Sequence, residues 1–192
     1  MKKIPTLFVR EFENHEKVNI RSEVTPECEW VLEGEGVATE KIDGSCCMIR
    51  NGEFFRRYDA KRGKTPPPYA EPCSEPDPVT GHWPHWIPCD ADRNESKWYY
   101  EAYNNSNGET LASGTYEAVG PHFASNPYNL EKDILMRHGD IILEDVPRTF
   151  EGIKEYLFSH YIEGIVFWKD GEPGCKIKRS DFGFDWKKKK EQ

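Results

Sequence analysis

No run of apolar residues in this chain approaches the roughly 20 needed to span a bilayer. The opening Met1-Lys2-Lys3-Ile4-Pro5 has none of the apolar stretch of a secretory signal. A disulfide framework is missing too. The six cysteines sit at 28, 46, 47, 73, 89 and 175, and the adjacent Cys46 and Cys47 would point to opposite faces of a strand. Reduced thiols in a soluble, cytoplasmic chain with no membrane partner are the expectation. An excess of basic charge is also absent. A net charge of −8 argues against a general nucleic-acid coat protein.

What is present is enough for one domain with a core: 192 residues, 36% hydrophobic and 13% aromatic. The charge is unevenly placed. Residues 11–35 carry eight Glu against Lys17 and Arg21, residues 56–64 five basic groups and one Asp, and residues 176–190 seven basic groups and two Asp. The two basic segments can either line a phosphate-binding groove or form solvated faces.

The sharpest unit is 37–59. A short β-prone run leads to Glu40-Lys41-Ile42-Asp43-Gly44, and Asp-Gly predicts a hairpin or turn before the strand 45–50. Asn51-Gly52 predicts a type I′ turn into a strand over 53–59, with Arg57 and Asp59 on one face. Lys41 reads as a surface charge or as a nucleophile. The second role needs a deprotonated amine, which cationic neighbours or partial burial favour. Arg57 reads as a phosphate clamp or as an edge-strand surface residue.

Residues 1–36 read as a peripheral segment, with a possible edge strand over 6–9. Residues 60–97 read as an insertion without regular structure, because eight of the fourteen prolines fall between Pro66 and Pro88. Cys73, His82, His85 and Cys89 raise a zinc reading, but their spacing fits no finger or ribbon and packing is preferred. Further strands are predicted over 98–103, 114–121, 140–144, 162–168 and 175–179, and a helix over 150–160 capped by Thr149. Residues 130–138 read equally as helix or strand. Glu117, amid apolar neighbours, must accept hydrogen bonds, from ribose hydroxyls or from a backbone turn. Lys176 and Lys178 share a strand face and are costly there without an anionic partner.

Taken together, Lys41-Ile42-Asp43-Gly44 resembles motif I (KxDG) of the covalent nucleotidyltransferases. Arg57 sits where motif Ia would. Tyr116-Glu117 to Gly120 resembles motif III, Glu163-Gly164-Ile165-Val166 motif IV and Lys176-Ile177-Lys178 motif V. Thr39-Glu40-Lys41, Cys46-Cys47, Gly81-His82-Trp83-Pro84 and Asn126-Pro127-Tyr128 look like the eukaryote-type ATP-dependent 5′–3′ RNA ligase family.

The resemblance implies an α+β ligase-type nucleotidyltransferase domain over 1–192, with antiparallel sheets flanking a nucleotide cleft, a basic tail at 187–192 and no OB-fold domain. It implies an ATP-dependent RNA ligase of RNA repair that joins 5′-phosphate and 3′-OH ends as a monomer. Lys41 would attack ATP and carry AMP. Lys178 would act with it in catalysis, and Lys176 and Lys178 would offset charge on the α-phosphate. Glu40 would seat the adenosine, Arg57 hold a phosphate, Glu117 bind ribose and Glu163 place Mg²⁺, with Mn²⁺ as a substitute. A DNA ligase, a GTP-dependent guanylyltransferase and a non-catalytic RNA- or nucleotide-binding module are the alternatives.

Overall fold

The computed structural model describes residues 3–13, 16–78 and 80–186. The lysines at 187–190 that end the second basic segment lie outside them. The strands are β1 (Phe8–Glu13), β2 (Glu16–Val24), β3 (Val37–Glu40), β4 (Ser45–Arg50), β5 (Glu53–Ala60), β6 (Glu71–Pro72), β7 (Trp83–Pro88), β8 (Gly114–Val119), β9 (Ile134–Arg137), β10 (Gly164–Lys169) and β11 (Glu172–Lys178). The α-helices are α1 (Glu29–Leu32), α2 (Lys97–Asn105) and α3 (Phe150–Ser159). The chain is therefore mixed α and β, and every pair of these strands runs antiparallel. No helix among the described residues is long and apolar enough to cross a membrane.

The chain forms two compact units and passes between them at Lys3–Ile4, Ile42–Asp43 and His138–Gly139. The unit holding 43–138 is built on a six-stranded sheet in the order β6-β7-β5-β4-β8-β9. One face of it is apolar. Cys47, Ile49, Phe54, Tyr116 and Ala118 alternate onto that face and pack with Ala102 and Phe123, joined by Trp98, Tyr99 and Tyr103. The run 98–103, expected as a strand from its aromatics, is thus helical. Positions 98, 99, 102 and 103 recur at helical spacing and lay one stripe on the sheet. Aromatic β propensity gave way to the burial pattern.

The proline-rich stretch also differs from expectation, because it contains β7, paired along its length with β5. Two prolines are tolerated there for a geometric reason. The Pro84 carbonyl accepts from the Cys73 N–H at 2.8 Å, so its hydrogen-free nitrogen faces the same way, towards β6. That neighbour is only two residues long, and the β5 ladder loses no donor. His85 is buried, with Nδ1 2.8 Å from the Trp83 carbonyl.

The second unit carries the three-stranded sheet β11-β10-β3, the β1–β2 hairpin and α3. Its core joins Leu7, Phe8 and Val31 to Ile153, Leu157, Ile165, Phe167 and Ile177. Full burial of a side chain of this size stabilises by about 1.5–3 kcal/mol. The segment before β3, expected to be peripheral, thus supplies core. Residues 5–7 also bond β11 through Lys176, with Leu7 N–H donating to its carbonyl and its own N–H donating to Pro5. Thr149 caps α3 as expected, accepting from the Gly152 N–H. The predicted strand at 140–144 is reduced to a single bridge, Ile142 to Thr39. Of residues 130–138, Ile134–Arg137 form β9 and the rest are neither helix nor strand.

Asn51 and Gly52 take positive φ of 54° and 80°, as a type I′ turn requires. Asp43-Gly44, however, makes no hairpin, since β3 and β4 belong to different sheets. Gly44 is needed for close approach, because a Cβ there would lie 2.2 Å from the Ala118 carbonyl oxygen. Gly44→Ala should therefore cost about 1–3 kcal/mol, read as a lower urea midpoint with unchanged slope. An unchanged midpoint would contradict this packing.

Candidate functional site

In the unit carrying β3, β10 and β11, three backbone segments set one row. Gly164 pairs with Lys178, and the Lys41 N–H donates to the Gly164 carbonyl at 2.9 Å. Lys41 and Lys178 thus flank Gly164, and alternation puts both on the face shared by Lys176. Gly164 is required there, since a Cβ would lie 2.3 Å from the Ile177 carbonyl oxygen. With no side chain at that position, nothing on β10 stands between the two lysines.

The residue before this glycine is the carboxylate. Lys41 Nζ donates to Glu163 Oε2 at 2.6 Å, with the two side chains 23% and 11% exposed. Such exposure makes the pair far less screened than a surface ion pair. The immediate partner of Lys41 is thus an anion, where the sequence pointed to cations. The Glu163 carbonyl accepts from the Arg179 N–H at 2.8 Å, so the carboxylate rises from backbone pinned beside β11. Among the described residues the Lys178 ammonium has no ion pair, while its N–H donates to Asp181 Oδ2 at 2.9 Å.

Glu40 departs from this group. It pairs with Ile165 and so faces away from the lysines, on the side of the apolar core. Burial raises its carboxyl above the ordinary range, and its charge is felt by Tyr156 of α3.

The other unit holds a second group. Cys46 lies directly across from Glu117 in the β4–β8 ladder. Arg57 points to the same side, since its neighbour Arg56 pairs with Cys47 on the apolar face. Arg57 Nε donates to Asp59 Oδ1 at 3.1 Å, and the guanidinium carbon lies 5.7 Å from the Trp86 ring centroid. Glu117 is nearly buried and satisfied, as its place among apolar residues demanded. Oε1 accepts from the Gly44 N–H at 3.1 Å, and Oε2 lies 2.8 Å from His138 Nε2. Burial, then the Glu117 charge, pushes the Cys46 thiol up to about 12.

Sequence reasoning missed His138 and gave Tyr128 no role beyond its place in Asn126-Pro127-Tyr128. His138 follows the last residue of β9 and carries no periodic signal. Tyr128 accepts from the Asp43 N–H at 2.7 Å, fixing the backbone just after the Lys41 segment leaves its own sheet. Its loop contains Ala124, Ser125 and Asn126, all at positive φ. The Asn126 side chain staples that loop, bonding both the N–H and the carbonyl of Leu130.

The arrangement offers two chemistries. One face presents an amine, a carboxylate and two further cations, suited to an oxyanion or phosphate. The other presents a guanidinium and a carboxylate already oriented by hydrogen bonds. No protein-family model matches the chain, and no curated protein matches it either.

The Glu40 environment sets a pH dependence. The folded chain holds this proton more tightly than the unfolded chain, so its contribution is full below about pH 4.3 and is lost as pH rises through the folded value. Glu40→Gln should make urea stability flatter from that pH upward. Equal slopes in variant and wild type would contradict the assignment.

Proposed function

We propose that this chain is an ATP-dependent RNA ligase with a covalent nucleotidyltransferase fold. It would join RNA 5′-phosphate and 3′-OH ends through an AMP-lysine intermediate, as a monomer in cytoplasmic RNA repair. The observation that carries the reading is the Lys41–Glu163 pair at 2.6 Å, beside Lys178 across a glycine. A binding module has no need of an amine held this way.

In the proposed first step Lys41 Nζ attacks the α-phosphorus of ATP. The N–P bond forms, the bond to the bridging oxygen breaks, and pyrophosphate leaves. Attack requires that the ammonium lose a proton, and Glu163 Oε2 is the acceptor in reach. Lys178 and Lys176 offset the charge that builds on the α-phosphate oxygens. Arg57 holds a phosphate with its planar donor fork, and Glu117 takes the ribose hydroxyls. AMP then passes to an RNA 5′-phosphate, and the 3′-OH of a second end displaces it.

Glu163 is a hard oxygen donor beside the lysine face, which fits Mg²⁺ held partly through water. When bound, the ion supplies charge neutralisation at the phosphates. Glu40, which faces away from the lysines, would seat the adenosine rather than join these steps. The acidic chain would bind RNA through local basic residues, so binding should fall as salt rises.

Incubation with α-labelled ATP and Mg²⁺ should label the protein. Lys41→Ala should abolish the label, and Lys178→Ala should slow it by about 10²–10³-fold. Labelling by GTP alone would support a guanylyltransferase instead, and sealing of nicked duplex DNA a DNA ligase. ATP binding without any covalent label would overturn the enzyme reading.

A further inference from the structure

The face that carries Glu117 gathers a set of donors of which the proposed nucleotidyl transfer uses Glu117 alone. Cys46 Sγ, a Glu117 carboxylate oxygen and a His138 ring nitrogen all lie within 4.8 Å of one another. Each is placed by backbone. Cys46 and Glu117 are register partners, and the His138 N–H donates to the Thr115 carbonyl at 3.1 Å just past β9.

The surrounding hydrogen bonds turn the right atoms towards one another. Glu117 Oε1 is engaged by the Gly44 N–H, which leaves Oε2 directed at His138. His138 Nδ1 lies 3.0 Å from Thr115 Oγ1, which leaves Nε2 directed at Glu117. A metal-ligating histidine characteristically has its second nitrogen engaged in this way.

We infer that Cys46, Glu117 and His138 form a binding site for a borderline-soft divalent metal of the Zn²⁺ class, with three protein ligands and an open fourth position. Sulfur, imidazole and one carboxylate suit Zn²⁺ and disfavour Mg²⁺, which prefers oxygen alone. Thr115 is a positioning residue, acting through the His138 ring. On binding, the Cys46 thiol gives up its proton to solvent, and the His138 hydrogen resides on Nδ1, facing Thr115 Oγ1. The site shares Glu117 with the ribose contact of the proposed ligase reaction, but metal binding is read without nucleotide, so its failure is distinguishable from failure of the labelling.

The test is titration of the full chain with Co²⁺ as a spectroscopic probe for Zn²⁺. A thiolate-to-cobalt charge-transfer band should grow in the near ultraviolet and disappear when Zn²⁺ is added. Cys46→Ser should remove the band, while Cys73→Ser and Cys89→Ser should keep it. Thr115→Val should weaken Zn²⁺ binding by about 10–100-fold, with Thr115→Ser restoring it. Should Cys46→Ser fail to fold by circular dichroism, His138→Gln must shift or weaken the band. No band in the wild type, or a band that survives in folded Cys46→Ser, would overturn the site.

Discussion

A single ion pair, Lys41 to Glu163, organises the lysine face. Holding an amine and a carboxylate at 2.6 Å with so little exposure is costly unless both backbones are fixed. Here they are. Lys41 is tied to Gly164, the residue after Glu163, and Glu163 itself is tied to Arg179 at the end of β11. The sheet order β11-β10-β3 places two lysines on either side of a residue with no side chain. Replacing that glycine would push β10 off the β11 backbone before it touched any ligand.

The six-stranded unit follows a parallel logic with different chemistry. Its sheet sends Cys47, Tyr116 and Ala118 to a core under α2 and sends Cys46, Arg57 and Glu117 the other way. The period of two thus divides adjacent cysteines between packing and the polar face. Glu117 tolerates burial because two donors reach it, Gly44 through the backbone and His138 through its ring. Gly44 thereby has two duties: it lets the chain pass close to β8 and donates to the carboxylate there.

Much of this was legible in the sequence wherever alternation governed the outcome. The strands around Asn51-Gly52 and at 164–178, the shared face of Lys176 and Lys178, and the Thr149 cap follow from local rules. The failures have local causes. Trp98 to Tyr103 looked β-prone because four aromatic residues in six obscured a helical stripe. The prolines of β7 suggested irregular chain because nothing local tells which side of a strand their nitrogens face. Glu40 adjoins Lys41 in sequence yet lies on the other face, which the same alternation predicts once β3 is known to reach it. The contacts of His138 and Tyr128 were not legible because they depend on partners far along the chain, Glu117 and Asp43.

The central claim is that the Lys41 amine is the atom that carries the nucleotide. Tandem mass spectrometry of protein incubated with ATP and Mg²⁺, digested without acid, locates the attachment directly. The account predicts an AMP mass on Lys41 alone, lost on mild acid treatment as a phosphoramidate must be. An acid-stable adduct, or AMP on any other residue of the folded wild-type protein, would contradict it.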